Sequence, residues 1–295
     1  MQLHPLEVTT PPRAAATVIL LRESQRELEV FMLKRHGLSD VLGGAYVFPG
    51  GKIDSADGEL DLGRFLDRSE AQLQDSLQEP APDSFGAVSL HVGALRELFE
   101  ECGVLLAEGA TAEHTLQASQ LLREGYGFNE MLGLLALKLQ TAALLPWSRW
   151  ITPKVSSVST KRFDTRFFVT ALPASQAALH DNRETTASVW ITPRRALDSY
   201  WAGAMELAPP QIMSLVQLSH FQTLAQALGH AARTRPPLIA PEPFEDEGLR
   251  TVAYPGDPRH PLQQRVMPGP TRLVFRNQRF EPPDGFDSLF SLQGP

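Results

Sequence analysis

The chain has 295 residues, of which 42% are hydrophobic and 21% are charged, a composition typical of a globular protein with enough material for a sizeable core. No apolar run approaches the length of a membrane helix, and a net charge of -7 without a strong Lys/Arg cluster argues against a general nucleic-acid binder. The single cysteine, Cys102, excludes an internal disulfide, and neither terminus resembles a targeting signal, so we expect a cytoplasmic protein.

The first fifty residues predict strands that lead into glycines. AATVILL (15–21) and LEVFMLKR (28–35) are apolar, partly β-branched runs separated by a polar segment, which predicts a hairpin. GAYVF (44–48) predicts a further strand that ends in the Pro-Gly-Gly turn at 49–51. Because glycine has no side chain, such a turn can present carbonyls to a metal ion or amides to a phosphate.

The middle of the chain predicts helices. The polar residues from about 58 to 90 predict one or two surface helices and a loop, inserted between neighbouring elements. Apolar residues then recur at helical spacing, which predicts a helix over 90–106 with Gly103 as a C-cap. Residues 113–145 predict two more helices.

Patterning typical of strands returns after residue 145. WSRWITP (147–153) and KRFDTRFFVTAL (161–172) predict strands, and VWITPRRAL (189–197) predicts a strand that leads into a helix. Residues 210–232 predict one amphipathic helix.

The last sixty residues differ in composition from the rest of the chain. They contain twelve of the 24 prolines, which predicts an extended tail on the body or on a partner subunit, with disorder as the alternative. Within this tail, TRLVFRNQRF (271–280) predicts an edge strand.

Three glutamates stand out on the central helix. Glu97, Glu100 and Glu101 share one helical face, where adjacent carboxylates repel one another but supply the hard oxygen ligands that Mg2+ or Mn2+ requires. The alternative is a solvated face on which Arg96 pairs with Glu100. Cys102 lies on the apolar side of this helix, and we expect it in the core.

The glycines and this helix together resemble the Nudix box. Its motif is a glycine, then a glutamate after five residues, then R-E-x-x-E-E-x-G after seven more. Gly51 matches the first glycine, and the second half matches in full at Arg96, Glu97, Glu100, Glu101 and Gly103. Asp57 stands where the box has its first glutamate, and 38 residues separate it from Arg96 instead of seven. A loop can absorb this insertion at small entropic cost.

The resemblance covers about residues 14–200. This part of the chain is similar to a Nudix subgroup that includes peroxisomal coenzyme A diphosphatases. It implies an α/β fold: a Nudix α/β/α sandwich with a mixed sheet, helical insertions and a Pro-rich C-terminal extension. We expect a Nudix domain over 1–205, with insertions at about 58–90 and 110–145, and a C-terminal helix and tail over 206–295 packed on the same body or a partner.

The resemblance also implies site roles. Glu97, Glu100, Glu101 and the Gly51 carbonyl would bind Mg2+ or Mn2+, and Arg96 would orient the carboxylates. Glu184 is the candidate for a distant catalytic carboxylate. Substrate would contact Arg35, Gly50, Gly51 and Arg162, with Lys34 and Lys161 as weaker candidates for phosphate contacts. Phe48, Trp150 and Phe163 could stack on a base, although aromatic residues near strands are more often part of the core.

The implied activity is hydrolysis of a nucleoside diphosphate linked to another moiety, with coenzyme A or acyl-CoA as the leading substrate. ADP-ribose, dinucleotides and nucleotide sugars are alternatives, and a non-catalytic nucleotide-binding Nudix module is an alternative of another class. The complete set of glutamates favours an enzyme over the binding module. The partner is therefore a small diphosphate rather than a nucleic acid or a membrane, and a homodimer stays open.

Overall fold

A mixed β-sheet organises the molecule. The computed structural model describes residues 7–37, 42–79, 86–155, 161–181 and 185–291. Strands β1 (Arg13–Ser24) and β2 (Glu27–Arg35) form the predicted antiparallel hairpin. Six more strands of the described chain join the sheet: β3 (Tyr46–Val47), β4 (Gly50–Lys52), β5 (Leu145–Ile151), β6 (Phe163–Ala171), β7 (Thr185–Ile191) and β8 (Leu238–Ile239).

The strand order is β3-β2-β1-β6-β5-β8, with β4 paired to β1 and β7 paired to β2. The pairs β1–β6 and β5–β8 are parallel, and the other pairs are antiparallel, so the predicted mixed sheet is confirmed. Strand β2 pairs with the second half of β1, and β4 pairs with the first half. The glycines of β4 therefore lie beside the start of β1.

The Pro-Gly-Gly turn predicted at 49–51 is confirmed only in part, because the chain bends at Pro49 but both glycines lie in a strand. Gly50 and Gly51 belong to β4 and pair with Thr17 and Ala16 of β1. Gly50 has a φ of 152°, and a Cβ there would lie 2.3 Å from the Ala16 carbonyl oxygen. The strand can therefore approach β1 this closely only because a glycine occupies the position.

The helices cover both faces of the sheet. They are α1 (Leu62–Phe65), α2 (Glu70–Leu77), α3 (Ala87–Cys102), α4 (Ala112–Arg123), α5 (Phe128–Leu135), α6 (Pro193–Trp201), α7 (Pro209–Leu218) and α8 (Leu224–Arg233). None of the helices in the described ranges is both long and apolar enough to span a membrane. The helix predicted over 90–106 begins at Ala87 and ends at Cys102, because Gly103 adopts a left-handed conformation with φ 69°.

Alternate residues of β1 point into two separate apolar cores. Ala16, Val18 and Leu20 pack against the α3 side, whereas Ile19 and Leu21 pack against the side that carries α6, α7 and α8. A strand buried on both faces has this pattern when helices cover both sides of the sheet. The α/β/α sandwich is thereby confirmed.

The inserted segment was predicted to lie on the surface, but it contributes to the core. Phe65, Leu73 and Leu77, from α1 and α2, are buried in the cluster on the α3 side. A short helix must bury its apolar residues to be stable, since it gains little from its own hydrogen bonds.

The prediction of one helix over 210–232 was also wrong. Helix α7 ends at Leu218, and α8 begins after Thr223, whose hydroxyl accepts a hydrogen bond from the Gln226 amide. This Thr-x-x-Gln capping box starts a new helix. Most residues of α7 are buried, so it is a core helix rather than an amphipathic one.

The Pro-rich tail is folded instead of extended. Strands β9 (Glu242–Asp246), β10 (Leu249–Ala253), β11 (Arg272–Arg276) and β12 (Arg279–Glu281) form a second sheet in the order β12-β11-β10-β9. The predicted edge strand over 271–280 is a hairpin, because Asn277 and Gln278 both have positive φ and form its turn. Tyr254 and Phe280 pack in the same core as α6 and α7.

Candidate active site

Helix α3 packs closely on the segment that follows β4. A Cβ at Gly93 would lie 2.7 Å from Ile53 Cδ1 and 2.8 Å from Asp57 Oδ2, both closer than side-chain atoms normally approach. The absence of a side chain at Gly93 therefore lets the helix sit against residues 53–57. This contact fixes the distance between the last two turns of α3 and strand β4.

Two glutamates of α3 reach the glycines of β4. Glu101 is buried, and its Oε2 accepts a hydrogen bond of 2.8 Å from the Gly50 amide. The Glu97 carboxylate lies so close to Gly51 that a Cβ there would be 2.5 Å from Oε1 and 2.7 Å from Oε2. Thus the structure brings both halves of the separated motif together. Two carboxylates, one turn apart on helix α3, contact the same strand, β4.

Arg96 is buried beside these carboxylates and is held by Asp57. Its Nε and Nη2 donate to the two oxygens of Asp57 at 2.8 and 3.1 Å. Nη1 donates to Glu97 at 2.9 Å and to Glu100 at 3.0 Å. Burial alone would lower the pKa of Arg96, but the hydrogen bond that Arg96 donates to Asp57 and the charge of Glu97 raise it, so the guanidinium stays charged.

Asp57 is itself fixed by the backbone. It lies in a short 3-10 helix, Ser55–Gly58, and its Oδ2 accepts a hydrogen bond of 2.8 Å from the Asp54 amide. Its side chain is 2% exposed, so its bidentate ion pair with Arg96 is shielded from solvent. Asp57 therefore orients Arg96, which in turn contacts Glu97 and Glu100.

Glu100 is placed differently from Glu97 and Glu101. Its side chain is 38% exposed and pairs with Arg96. Burial raises the pKa of Glu100, and the nearby Arg96 charge offsets only part of that effect. The three glutamates expected side by side therefore divide into two that face β4 and one that faces Arg96 and solvent.

The donor set fits a hard divalent cation. Glu97 and Glu101 supply carboxylate oxygens beside a glycine strand on which no side chain occupies the space. No three His, Cys, Asp or Glu side chains of the described residues form a ready-made metal cluster. Water and substrate phosphate oxygens would therefore complete the shell of an ion held here, as is usual for Mg2+.

Three further residues were predicted to contact the substrate or to act in catalysis: Arg35, Arg162 and Glu184. Arg35 ends β2, at an irregular register against β7, and its amide donates to the Ala45 carbonyl at 3.0 Å. The Arg162 guanidinium donates to the carbonyls of Thr152 and Thr10, so the structure gives it a backbone-binding role. Glu184 lies outside the described residues.

Cys102 and two of the three aromatic candidates are core residues. Cys102 is fully buried, and burial raises the pKa of its thiol well above the usual range, as expected for a packing residue. Phe48 and Trp150 are also buried, whereas Phe163 is only partly buried.

A cleft that no sequence pattern predicted lies on the other face of the sheet. Its lining includes Thr17 of β1, Phe163 and Thr165 of β6, and Pro209 and Gln211 of α7. These residues come from distant parts of the chain, and the parallel pairing of β1 with β6 brings Thr17 together with Phe163 and Thr165. Phe163 and Trp150, which both line the cleft, were among the candidates for stacking on a base.

Comparison with known families agrees with this geometry. The sequence model of the NUDT19 Nudix domain matches residues 12–218. The chain belongs to the Nudix hydrolase family. The match contains both halves of the Nudix box, Gly51 with Asp57 and the segment that begins at Arg96.

Individual Nudix relatives are similar over much of the chain. A Xenopus laevis protein named acyl-coenzyme A diphosphatase NUDT19 is 32% identical over 66% of this chain, and the match spans 60% of its own length. A Caenorhabditis elegans protein named putative nudix hydrolase 7 is 27% identical over 94% of this chain and 88% of its own. The crystal structure of a NUDIX hydrolase from Alicyclobacillus acidocaldarius superposes with a TM-score of 0.60 at 26% identity and covers 75% of this chain and 97% of that one.

Proposed function

We propose that this protein is a metal-dependent diphosphatase that hydrolyses coenzyme A or acyl-CoA. The observation that carries the proposal is the contact of Glu97 and Glu101 with the two glycines of β4. The name of the Xenopus relative supports the choice of acyl-CoA.

In this reaction, water attacks one phosphorus atom of the diphosphate and the bridging P–O bond breaks. The products are adenosine 3',5'-bisphosphate and 4'-phosphopantetheine, which keeps its acyl group when the substrate is acyl-CoA. A divalent cation, Mg2+ or Mn2+, would neutralise the diphosphate and make the attacking water more acidic. Glu97 and Glu101 would hold it, with Glu100 and the Gly51 carbonyl as further donors.

The other residues of the site act by positioning. Arg96 holds the Glu97 carboxylate in place through its hydrogen bond of 2.9 Å, and Asp57 holds Arg96. A shift of about 1 Å in a catalytic group can reduce turnover roughly 100-fold, so this chain of contacts bears directly on the rate. We assign the distant carboxylate that accepts the proton from water to Glu184, and we assign a phosphate contact to Arg35.

The test is incubation with Mg2+ and a panel of diphosphates, followed by chromatography of the products. We expect turnover of coenzyme A and acyl-CoA, and a loss of at least about 100-fold in Glu101→Gln. Glu108→Gln is the matched control, because that glutamate is half exposed and pairs only loosely with Lys138 at 3.7 Å. Turnover of ADP-ribose alone would contradict the substrate, and no turnover would favour a nucleotide-binding module.

Three narrower assignments accompany this proposal. The buried single cysteine supports a cytoplasmic location, which cell fractionation would test. Whether Mg2+ or Mn2+ is the preferred ion is tested by measuring the rate of acyl-CoA hydrolysis with each ion. The homodimer stays a prediction, and light scattering at several protein concentrations would decide it.

A further inference from the structure

An apolar cleft opens beside strand β4 on the face of the sheet opposite α3. Its walls are formed by strands β5 and β6, by the start of α7 and by the C-terminal segment, with Trp150, Phe163, Thr165, Pro209, Gln211 and Val252 among the lining residues. No charged side chain of the described residues lines it. The cleft therefore suits an uncharged ligand with apolar surface.

The cleft begins next to the candidate active site. Thr17 lines it and is also the β1 partner of Gly50. The Cα of Thr17 would lie 2.7 Å from a Cβ at Gly50, so the two backbones are in close contact. Gly50 also donates its amide to Glu101, so the cleft and the carboxylate site lie on either side of the same pair of strands.

The start of α7 forms one wall and is unsuited to a phosphate. A helix N-terminus normally offers free N–H groups to an anion. The first two residues of α7 are Pro209 and Pro210, which have no N–H to offer. The wall is therefore apolar where a phosphate site would need donors.

One polar group in the cleft lacks a partner. Gln211 is 7% exposed, and its Oε1 has no hydrogen-bond partner within the described ranges. An unpaired buried amide oxygen is costly, which makes it a ready acceptor for a ligand N–H. The cleft thus combines apolar walls with a single amide that can bind another amide.

We propose that this cleft binds the acyl-pantetheine arm of the substrate, with Gln211 accepting a hydrogen bond from a pantetheine amide. The inference rests on the proposed function. Acyl-CoA has one half that carries all its phosphates and one half that is uncharged, has two amides and ends in an alkyl chain. Only the uncharged half matches a cleft without cations, with proline at the helix start and with one unpaired amide.

The experiment compares free CoA with acetyl-, hexanoyl- and dodecanoyl-CoA in the presence of Mg2+. We expect kcat/KM to rise by about fourfold for each added pair of methylene groups, because burying half of their apolar surface stabilises the complex by that factor. Most of the change should be a decrease in KM. Dissociation constants of the same ligands for Glu101→Gln should follow the same order. This binding measurement tests the cleft even if the protein proves not to hydrolyse CoA.

Two cleft variants and a matched control complete the test. Thr165→Phe fills the cleft and should reduce the preference for dodecanoyl-CoA over free CoA at least tenfold, and Gln211→Leu should weaken binding of every pantetheine ligand several-fold. Gln217→Leu, at the other end of α7 and outside the cleft, should change neither. The proposal would be overturned if kcat/KM and affinity did not depend on acyl chain length. It would also be overturned if Thr165→Phe weakened the binding of ADP-ribose and of acyl-CoA equally, because the cleft would then not hold the acyl arm.

Discussion

Replacing Gly51 by alanine should inactivate the enzyme without unfolding it. The new Cβ would lie 2.5 Å from Glu97 Oε1, whereas ordinary contact begins at 3.4 Å, so the carboxylate must retreat by about 0.9 Å. That movement also strains the hydrogen bond of 2.9 Å between Glu97 and Arg96. Since a misplacement of about 1 Å costs roughly 100-fold, we expect kcat to fall by about that factor.

The same substitution should leave the fold almost unchanged. Gly51 does not have a positive φ, so alanine can adopt its backbone conformation. The clash involves the end of a side chain, which can move, rather than the backbone. We expect the free energy of unfolding to change by less than about 1 kcal/mol.

The assay measures acyl-CoA hydrolysis and thermal unfolding of the variant side by side. Gly133→Ala is the control, because its Cβ would meet only Phe65 Cζ, at 4.0 Å. Adding Glu97→Asp to Gly51→Ala should cost less than it does in the wild type, because the shorter side chain avoids the clash. Near-normal turnover in Gly51→Ala would show that the position of Glu97 does not limit the rate, and a loss of activity fully explained by unfolding would show that the clash disrupts the fold instead.

Three further predictions concern stability. Asp57→Asn should lower the free energy of unfolding by about 3 kcal/mol, because the buried Arg96 loses its bidentate partner. Burial lowers the pKa of His91 from 6.5 to about 4, so the unfolded chain takes up a proton at a higher pH than the folded chain. The free energy of unfolding should therefore be highest above pH 6.5 and fall by about 3 kcal/mol as the pH drops towards 4. Asp257→Asn should destabilise the C-terminal sheet by about 3 kcal/mol, because Arg272 loses the charged partner to which it donates two hydrogen bonds. These hydrogen bonds lower the pKa of Asp257 although its burial alone would raise it.

Denaturant unfolding at several pH values measures all three effects. Asp61→Asn and Asp284→Asn are the controls for the two aspartate variants, because both side chains are exposed. His91→Leu should remove the pH dependence between 6.5 and 4, and persistence of the full slope in that variant would assign it to other groups. Two separate transitions in Asp257→Asn would show that the C-terminal sheet unfolds on its own.

Helical spacing alone predicted only that Glu97, Glu100 and Glu101 share one face of a helix. That these carboxylates would meet the glycines at 50 and 51 was implied by the resemblance to the Nudix box, and the structure brings Glu97 and Glu101 to them. The role of Asp57 as the partner of Arg96 was not predicted. That contact spans 39 positions in sequence, and its signal was only that the box has an acidic residue there.

The errors in the fold arose where long-range contacts override composition. Proline content suggested an extended tail, yet strand pairing and the burial of Tyr254 fold this segment onto the body. The Asn277-Gln278 turn and the Thr223 capping box were local signals that the interpretation overlooked. The apolar cleft had no local signal, since strand pairing between distant segments creates it.

The proposed metal-dependent diphosphatase activity is tested by the rate of acyl-CoA hydrolysis, measured for the wild type and Glu101→Gln with Mg2+ and after removal of the ion by chelation. We expect turnover only in the wild type with metal, with cleavage between the two phosphorus atoms. Glu101→Gln should lose activity by at least about 100-fold while its thermal unfolding stays close to that of the wild type. Equal rates in the two proteins, or hydrolysis that persists without a divalent ion, would contradict it.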